Sequence, residues 1–545
     1  MTSPSDSLEV QRNCRKGPFA LSVPGTGQWT PQLAVSIVVP VSARQEVTEA
    51  FLEALAVQSY PGHLLEVVLV AEGRAPIVLA EGKLENCKMI GDQPVAGSRN
   101  EAFLIGVAAA EGDVVLRLDP NTIICREHVE AHMRWHHLGD NYLVVGLAPG
   151  DRVDGERQGP PPPDAASSSG LDGVADAEPA ADDGATVVVR NTAALFAQDS
   201  WIYSVAEGAT ISWTPKLYRQ AGEIDLVLSH GADLELCYRL AQAGGVIVRE
   251  AEARSWRPTR AAVEAPSSVR YGEPALRHRL PVRRAWRAEP GRQWKTPYID
   301  VVVEATDGSY EEVRSTICGA LASTVPDVKV TLVGPWGALA DAPPTPPDDR
   351  LLHLRLVREE FIHDGRVELR EDIPATSAPV PFRFQCPAGL VPTPIAIERL
   401  VELIDRNGLG IVFLAFSHGS SLIVGRFERT EAVAQALAAC GPGRDVVDVV
   451  DELHGSFWID GSEWALVTAK KAPKAELPSE LRSEIERWRT EALRRKSEAK
   501  RWKDEASRLK RELQAVSYAR GAARSPGIAA KVARKGIAIV KRLAG

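Results

Sequence analysis

The stretch Val35 to Arg74, VSIVVPVSARQEVTEAFLEALAVQSYPGHLLEVVLVAEGR, constrains the fold more than any other part of the chain. Val35 to Val39 is an apolar run followed by Pro40. Val47, Phe51, Leu52 and Leu55 come next at helical spacing, then the turn Tyr60-Pro61-Gly62, then a second apolar run from Val67 to Val70. That order predicts strand, helix, strand. Apart from Ser36 both runs are apolar, as parallel strands buried on both faces should be, and the helical crossover implies a right-handed βαβ unit. One such unit fits any doubly wound α/β domain. The pattern returns from Ile299 to Trp336, IDVVVEATDGSYEEVRSTICGALASTVPDVKVTLVGPW, where Ala320-Leu321-Ala322 echoes Ala54-Leu55-Ala56. A second copy predicts a duplicated fold.

Two further blocks follow the first copy. From Gly97 to His136 a helix over Asn100 to Ala110 leads through Glu111-Gly112-Asp113 into a strand from Val114 to Leu118, which ends on Asp119-Pro120-Asn121. Sites in open α/β sheets gather at the carboxyl ends of strands, so Asp119 and Asn121 are expected to project into the crevice. From Ala209 to Arg257, Gly231-Ala232-Asp233-Leu234-Glu235 opens a helix that continues through Cys237-Tyr238-Arg239-Leu240. Taken together, the blocks resemble the family 2 glycosyltransferases of the GT-A fold over roughly residues 33 to 258. That family reads strand, Pro, helix, Tyr-Pro, strand, Asp-Asp-Gly-Ser, then Arg-Asn, then a strand ending in Asp-x-Asp.

The resemblance implies a nucleotide-sugar donor, a glycan or lipid-linked acceptor, and a divalent cation, Mn2+ or Mg2+, that neutralises the leaving diphosphate. Asp119 matches the first Asp of Asp-x-Asp. Asn121 stands in place of the second, offering an oxygen ligand without charge. Glu72 sits where the family has the Asp that hydrogen-bonds the nucleotide base, and Arg99 and Asn100 sit near the donor phosphates. Asp233 matches the general base of the inverting members, with Ala232 in place of its usual Glu neighbour. Arg257 stands where some relatives put a metal-binding His. Each residue has a plainer reading. Asp119 before Pro120 also suits a strand-ending turn, Glu72 before Gly73 a turn, Arg99 and Asn100 a solvated helix start, and Asp233 a first-turn acid favoured by the helix dipole.

In the second copy, Pro381 to Asp405 resembles the segment that carries Asp-x-Asp, and its acidic positions read Cys386 and Ala388. A copy without those carboxylates is expected to be pseudo-catalytic. Two function classes stay open: an inverting transferase of bacterial cell-surface polysaccharide assembly, and a non-catalytic scaffold on which active transferases dock.

The remaining segments set the organisation. Residues 1–32 are an N-terminal extension, 33–258 the GT-A domain, 259–297 a basic linker and 298–470 the degenerate GT-A-like domain. Within the first domain, 150–184 is a Pro-, Ala-, Asp- and Gly-rich insertion too polar to order itself. Arg277, Arg279, Arg283, Arg284 and Arg287 around Trp286 suit either a strap packed on the acidic body or an anion-binding surface. Residues 477–520 carry apolar positions from Leu481 to Val516 in four-three steps, which predicts a coiled coil able to form a homo-oligomer. Residues 526–545 read as a basic amphipathic helix suited to an anionic membrane surface or to docking on the body.

Net charge is −8, yet the tail from Leu481 holds about 19 basic and about 7 acidic residues, which leaves the body strongly acidic and argues against nucleic acid as partner. The 7 cysteines are scattered without CxxC pairs, as expected in a reducing cytosol. No signal peptide or membrane span is read, so a cytoplasmic protein, peripheral on the inner face of the cell membrane, is expected.

Overall fold

The computed structural model describes residues 23–41, 45–72, 84, 86–91, 98–119, 122–147, 187–189, 210–228, 231–256, 266–287, 292–341, 351–418, 421–464 and 466–468. The insertion 150–184, Asn121, Arg257, the coiled-coil segment and the basic amphipathic segment lie outside the described residues.

The first sheet is built from β1 (Val35–Val41), β2 (Leu65–Ala71), β3 (Cys87–Ile90), β4 (Val114–Arg117), β5 (Ile123–Ile124), β6 (Tyr142–Leu147), β7 (Val187–Val189), β8 (Ile211–Trp213) and β9 (Val246–Trp256). Its order is β3-β2-β1-β4-β8-β6-β9-β5, with β7 paired to β9. The first four run parallel, and β8 lies antiparallel to both β4 and β6. All seven residues of β1 are buried, and strand periodicity divides its five aliphatic residues between two cores. Val35, Ile37, Val39 and Val41 pack with Phe51, Leu52 and Leu55 of the helix Gln45–Ala56. Val38 packs with Ala102 and Phe103 of the helix Arg99–Ala109 on the other face. Gly106 lets that helix approach, since a Cβ there would lie 2.4 Å from Val38 Cγ1.

The second sheet is built from β10 (Ile299–Glu304), β11 (Val328–Val333), β12 (Val367–Arg370), β13 (Phe382–Gln385), β15 (Ile411–His418), β16 (Ser421–Arg429) and β17 (Ser456–Asp460). Between them, β14 (Leu390–Pro392) pairs with β18 (Leu466–Thr468). The order β12-β11-β10-β13-β16-β15-β17 repeats β3-β2-β1-β4-β8-β6-β9 strand for strand. The pairing senses repeat as well: parallel through β12, β11, β10 and β13, antiparallel at β13/β16 and β15/β16, parallel at β15/β17. Mixed sheets of this kind are consistent with a GT-A-like, Rossmann-type architecture.

The ladder fixes which residues correspond. Leu118 N donates to Val38 O (3.3 Å) as Cys386 N donates to Val302 O (2.9 Å), and Thr122 N closes on Asp119 O (2.9 Å) as Leu390 N closes on Pro387 O (3.1 Å). Cys386 therefore occupies the place of Leu118, while Pro387 and Gly389 stand at the places of Asp119 and Asn121. The acidic positions were expected at Cys386 and Ala388, and the strand register places them one residue further on. Gln385 stands at the place of Arg117.

The segment between the sheets is more than a linker. It contains the helix Pro266–Arg277, and Leu276, Leu280 and Val282 belong to the first core. Arg279 Nε donates to Asp225 Oδ2 (2.6 Å), and the buried Arg287 Nη1 donates to Asp327 Oδ2 (2.7 Å) and Thr296 O (2.6 Å). The two halves also share a core in which Trp135, Tyr142, Val144, Val246 and Val248 pack with Ile411, Ala436, Val449, Val450 and Leu453. Gly244, at φ +104°, sits where a Cβ would fall 2.8 Å from Ala434 O. Among the described residues, no helix is long and apolar enough to cross a membrane.

Because this core spans both halves, Leu453→Ala is expected to destabilise the protein by about 2–5 kcal/mol and to shift one cooperative transition. Urea denaturation followed by far-UV circular dichroism checks this. Two separated transitions, with only one displaced, would mean that the halves unfold independently.

Candidate functional site

The carboxyl ends of β1, β2 and β4 lie at one edge of the first sheet, and the sequence places its charged residues there. Glu72 follows β2, and its backbone N donates to Val41 O (2.8 Å), tying the ends of β1 and β2 together. Asp119 follows β4 after the buried Leu118. The helix Arg99–Ala109 begins at the same edge, with the Ser98 side chain accepting from Glu101 N (3.2 Å) as its N-cap. Arg99, its first residue, forms an ion pair with Asp119, Nη2 to Oδ1, at 3.0 Å. Asn100 Nδ2 donates to Leu228 O (2.7 Å), fastening the helix start to the segment that precedes the helix Ala232–Gln242.

Asp233 lies in the first turn of that second helix, after Gly231 at φ +69°. It pairs with the guanidinium of Arg117, the last residue of β4. Arg117 also lies over the ring of Phe103, 4.7 Å from its centroid. Burial pushes the Arg117 guanidinium down to about 10, and the positive charge of Arg99 adds to the shift while Asp119 opposes it. Arg99, Asp119, Arg117 and Asp233 thus form one electrostatic group of two cations and two anions.

The structure brings Asp119, Arg99 and Asn100 to one edge, and Asp233 joins them through Arg117. Glu72 stands two strands from β4 on the same edge, about 10 Å away by strand spacing. Sequence reasoning missed Arg117. Its signal was a charged residue sharing strand parity with Val115 in an otherwise apolar run, so that it faces the helix carrying Phe103.

Of the pair expected to hold the divalent cation that the resemblance implies, Asp119 is placed and Asn121 lies outside the described residues, and Asp119 alone does not make a cation site. The Asp119 carboxylate already faces a guanidinium at 3.0 Å. Among the described residues, no group of three or more His, Cys, Asp or Glu side chains is placed to hold a metal ion.

After the site loop, the helix His128–His136 carries His128, His132 and His136 one turn apart and buried. Their partners are uncharged oxygens: Arg254 O for His128 (2.8 Å), the Ser212 and Thr210 hydroxyls for His132 (2.8 and 3.1 Å), and the Ser212 hydroxyl for His136 (2.8 Å). Burial pushes His128 down to about 4 and His136 to about 3, and it lowers His132 as well. The folded protein therefore keeps these rings neutral, while the unfolded chain protonates them near pH 6.5.

No protein-family model matches the chain, and no curated protein matches it. Similar solved structures include S. aureus TarS 1-349 in complex with UDP-GlcNAc, at 16% identity and a TM-score of 0.31, covering 42% of this chain. This chain spans 59% of the length of that one. The mannosyltransferase PcManGT from Pyrobaculum calidifontis, in complex with GDP-Man and Mn2+, is similar at 14% identity and a TM-score of 0.30, covering 50% of this chain and 68% of its own. GalNAc-T7 with UDP, GalNAc and Mn2+ is similar at 14% identity and a TM-score of 0.29, covering 44% of this chain and 48% of its own.

Stability from the histidine row is complete above pH 6.5 and is lost as pH falls toward 4, with His128 alone contributing on the order of 3 kcal/mol. Melting temperature measured from pH 7 to pH 4.5 is expected to fall. His128→Gln, which keeps a donor for Arg254 O, should lessen that fall, and an unchanged slope would remove His128 as a source.

Proposed function

We propose that the first half transfers a sugar from a nucleotide-sugar donor to a hydroxyl of a glycan or lipid-linked acceptor, with inversion, in bacterial cell-surface polysaccharide assembly. The observation that carries this reading is the charged group at the carboxyl end of β4, where Arg99, Asp119, Arg117 and Asp233 meet at one edge of the sheet. Two guanidinium groups suit a diphosphate, and a carboxylate on the first turn of a neighbouring helix suits proton removal. In the transfer, the acceptor oxygen bonds to the anomeric carbon, the donor carbon–oxygen bond breaks with its electron pair going to the diphosphate, and the acceptor proton passes to Asp233. Glu72, at the end of β2, is assigned to the nucleotide base. The segment 526–545 is assigned to an anionic membrane surface, and 477–520 to self-association.

A scaffold is the second reading. It is favoured by the second half, where the uncharged Gln385, Pro387 and Gly389 stand at the places of Arg117, Asp119 and Asn121.

A panel of UDP-, GDP-, dTDP- and CDP-sugars, scored by release of nucleoside diphosphate with glycan acceptors, tests the transferase. Asp233→Ala should lower turnover by at least about a hundredfold, the usual range for a general base, while donor binding stays near normal. Unchanged turnover would take Asp233 out of the mechanism, and a protein that binds no donor would be the scaffold.

A further inference from the structure

We propose that Arg99 and Arg117 hold the donor diphosphate directly, in place of the divalent cation that the sequence resemblance implies, and that the diphosphate releases Asp233 when it takes Arg117. The inference deepens the transferase reading above and rests on it.

Three observations carry it. First, the two guanidinium groups reach the same strand end from different elements, Arg117 as the last residue of β4 and Arg99 as the first residue of the helix Arg99–Ala109. Second, each guanidinium already holds a carboxylate, Arg99 that of Asp119 and Arg117 that of Asp233, so the group of four is neutral. A divalent cation arriving there would find both carboxylates already paired and two guanidinium groups beside them. A diphosphate presents several oxygens that match the guanidinium fork and can displace the carboxylates one for one. Third, Arg117 is held in place. Its side chain is only 12% exposed and its Cζ lies 4.7 Å from the centroid of the Phe103 ring, whereas Arg99, at 41% exposed, can move to meet a ligand.

The exchange links donor binding to the proton transfer. While Arg117 holds Asp233, the carboxylate is a poor base. Once the diphosphate occupies Arg117, the Asp233 carboxylate can accept the acceptor's proton. As the anomeric carbon–oxygen bond breaks, the electron pair and the growing negative charge settle on a diphosphate that already faces two cations. The base is thus released only when a donor is present, which disfavours proton removal in an empty site.

Isothermal titration of the full chain with the nucleotide-sugar panel, with UDP and GDP, and with inorganic pyrophosphate tests this, in EDTA and again in Mn2+ or Mg2+. The expected result is binding of at least one nucleotide with the same Kd, within about twofold, in both conditions. Arg99→Gln and Arg117→Gln should each weaken that binding by at least about tenfold, the scale of a lost charge-assisted pair. Arg117→Gln installs the residue found at the corresponding place in the second half. Arg99 is exposed, so Arg99→Gln keeps the test open if loss of Arg117 disturbs folding, and thermal melts of both variants check this. Binding that requires Mn2+ or Mg2+ and survives both substitutions would overturn the inference and leave the transferase reading in place. Absence of binding by every probe, with and without metal, would overturn both.

Discussion

A parallel sheet covered on both faces can offer polar chemistry only at its ends, and this constraint organises the molecule. β1 buries all seven residues and spends five of them on two cores, so its strand has no side chain to spare for a ligand. The one polar residue within it, Ser36, is itself committed, donating to Glu66 and accepting from Gly112 N at 2.8 Å. Everything reactive is therefore displaced to the loops and helix starts at the carboxyl edge, where backbone dipoles and unpaired N–H groups already favour anions.

At that edge the balance of charge matters more than any single residue. Two arginines and two aspartates cancel, so the empty site costs little to keep partly buried. The group has no net charge, and it offers two guanidinium forks to a ligand able to outcompete a carboxylate. The strongly acidic body around it does not contradict this, because screening limits surface charges to about 10 Å at moderate salt, whereas the partly buried pairs act at contact.

Much of this was legible in the sequence, and the part that was not has a physical cause. Val35 to Val39, the helix bearing Phe51 and Leu55, and the strand after Gly112 could be read because apolar periodicity reports burial directly. Arg99 and Asp119 could be picked out, but their pairing could not, since an ion pair between a helix start and a strand end leaves no periodic trace. Arg117 shares parity with Val115, so its face was readable, while its partner Asp233 lies far along the chain. The register of Pro387 against Asp119 needed backbone hydrogen bonds, because a slip of one residue in a short strand leaves the motif looking intact. The basic segment before the second sheet suited a strap packed on the body or an anion-binding surface, and the strap agrees with the structure: Arg279 and Arg287 are taken up by Asp225 and Asp327, and Leu280 lies in the core.

The core shared between Val248 and Val450 makes each half part of the other's interior. At this seam Gly244 of the first half has no room for a side chain, since a Cβ there would fall 2.8 Å from Ala434 O of the second. The second half is thus a wall of the first, and its loss would open the face of Trp135, Tyr142, Val144, Val246 and Val248 to water.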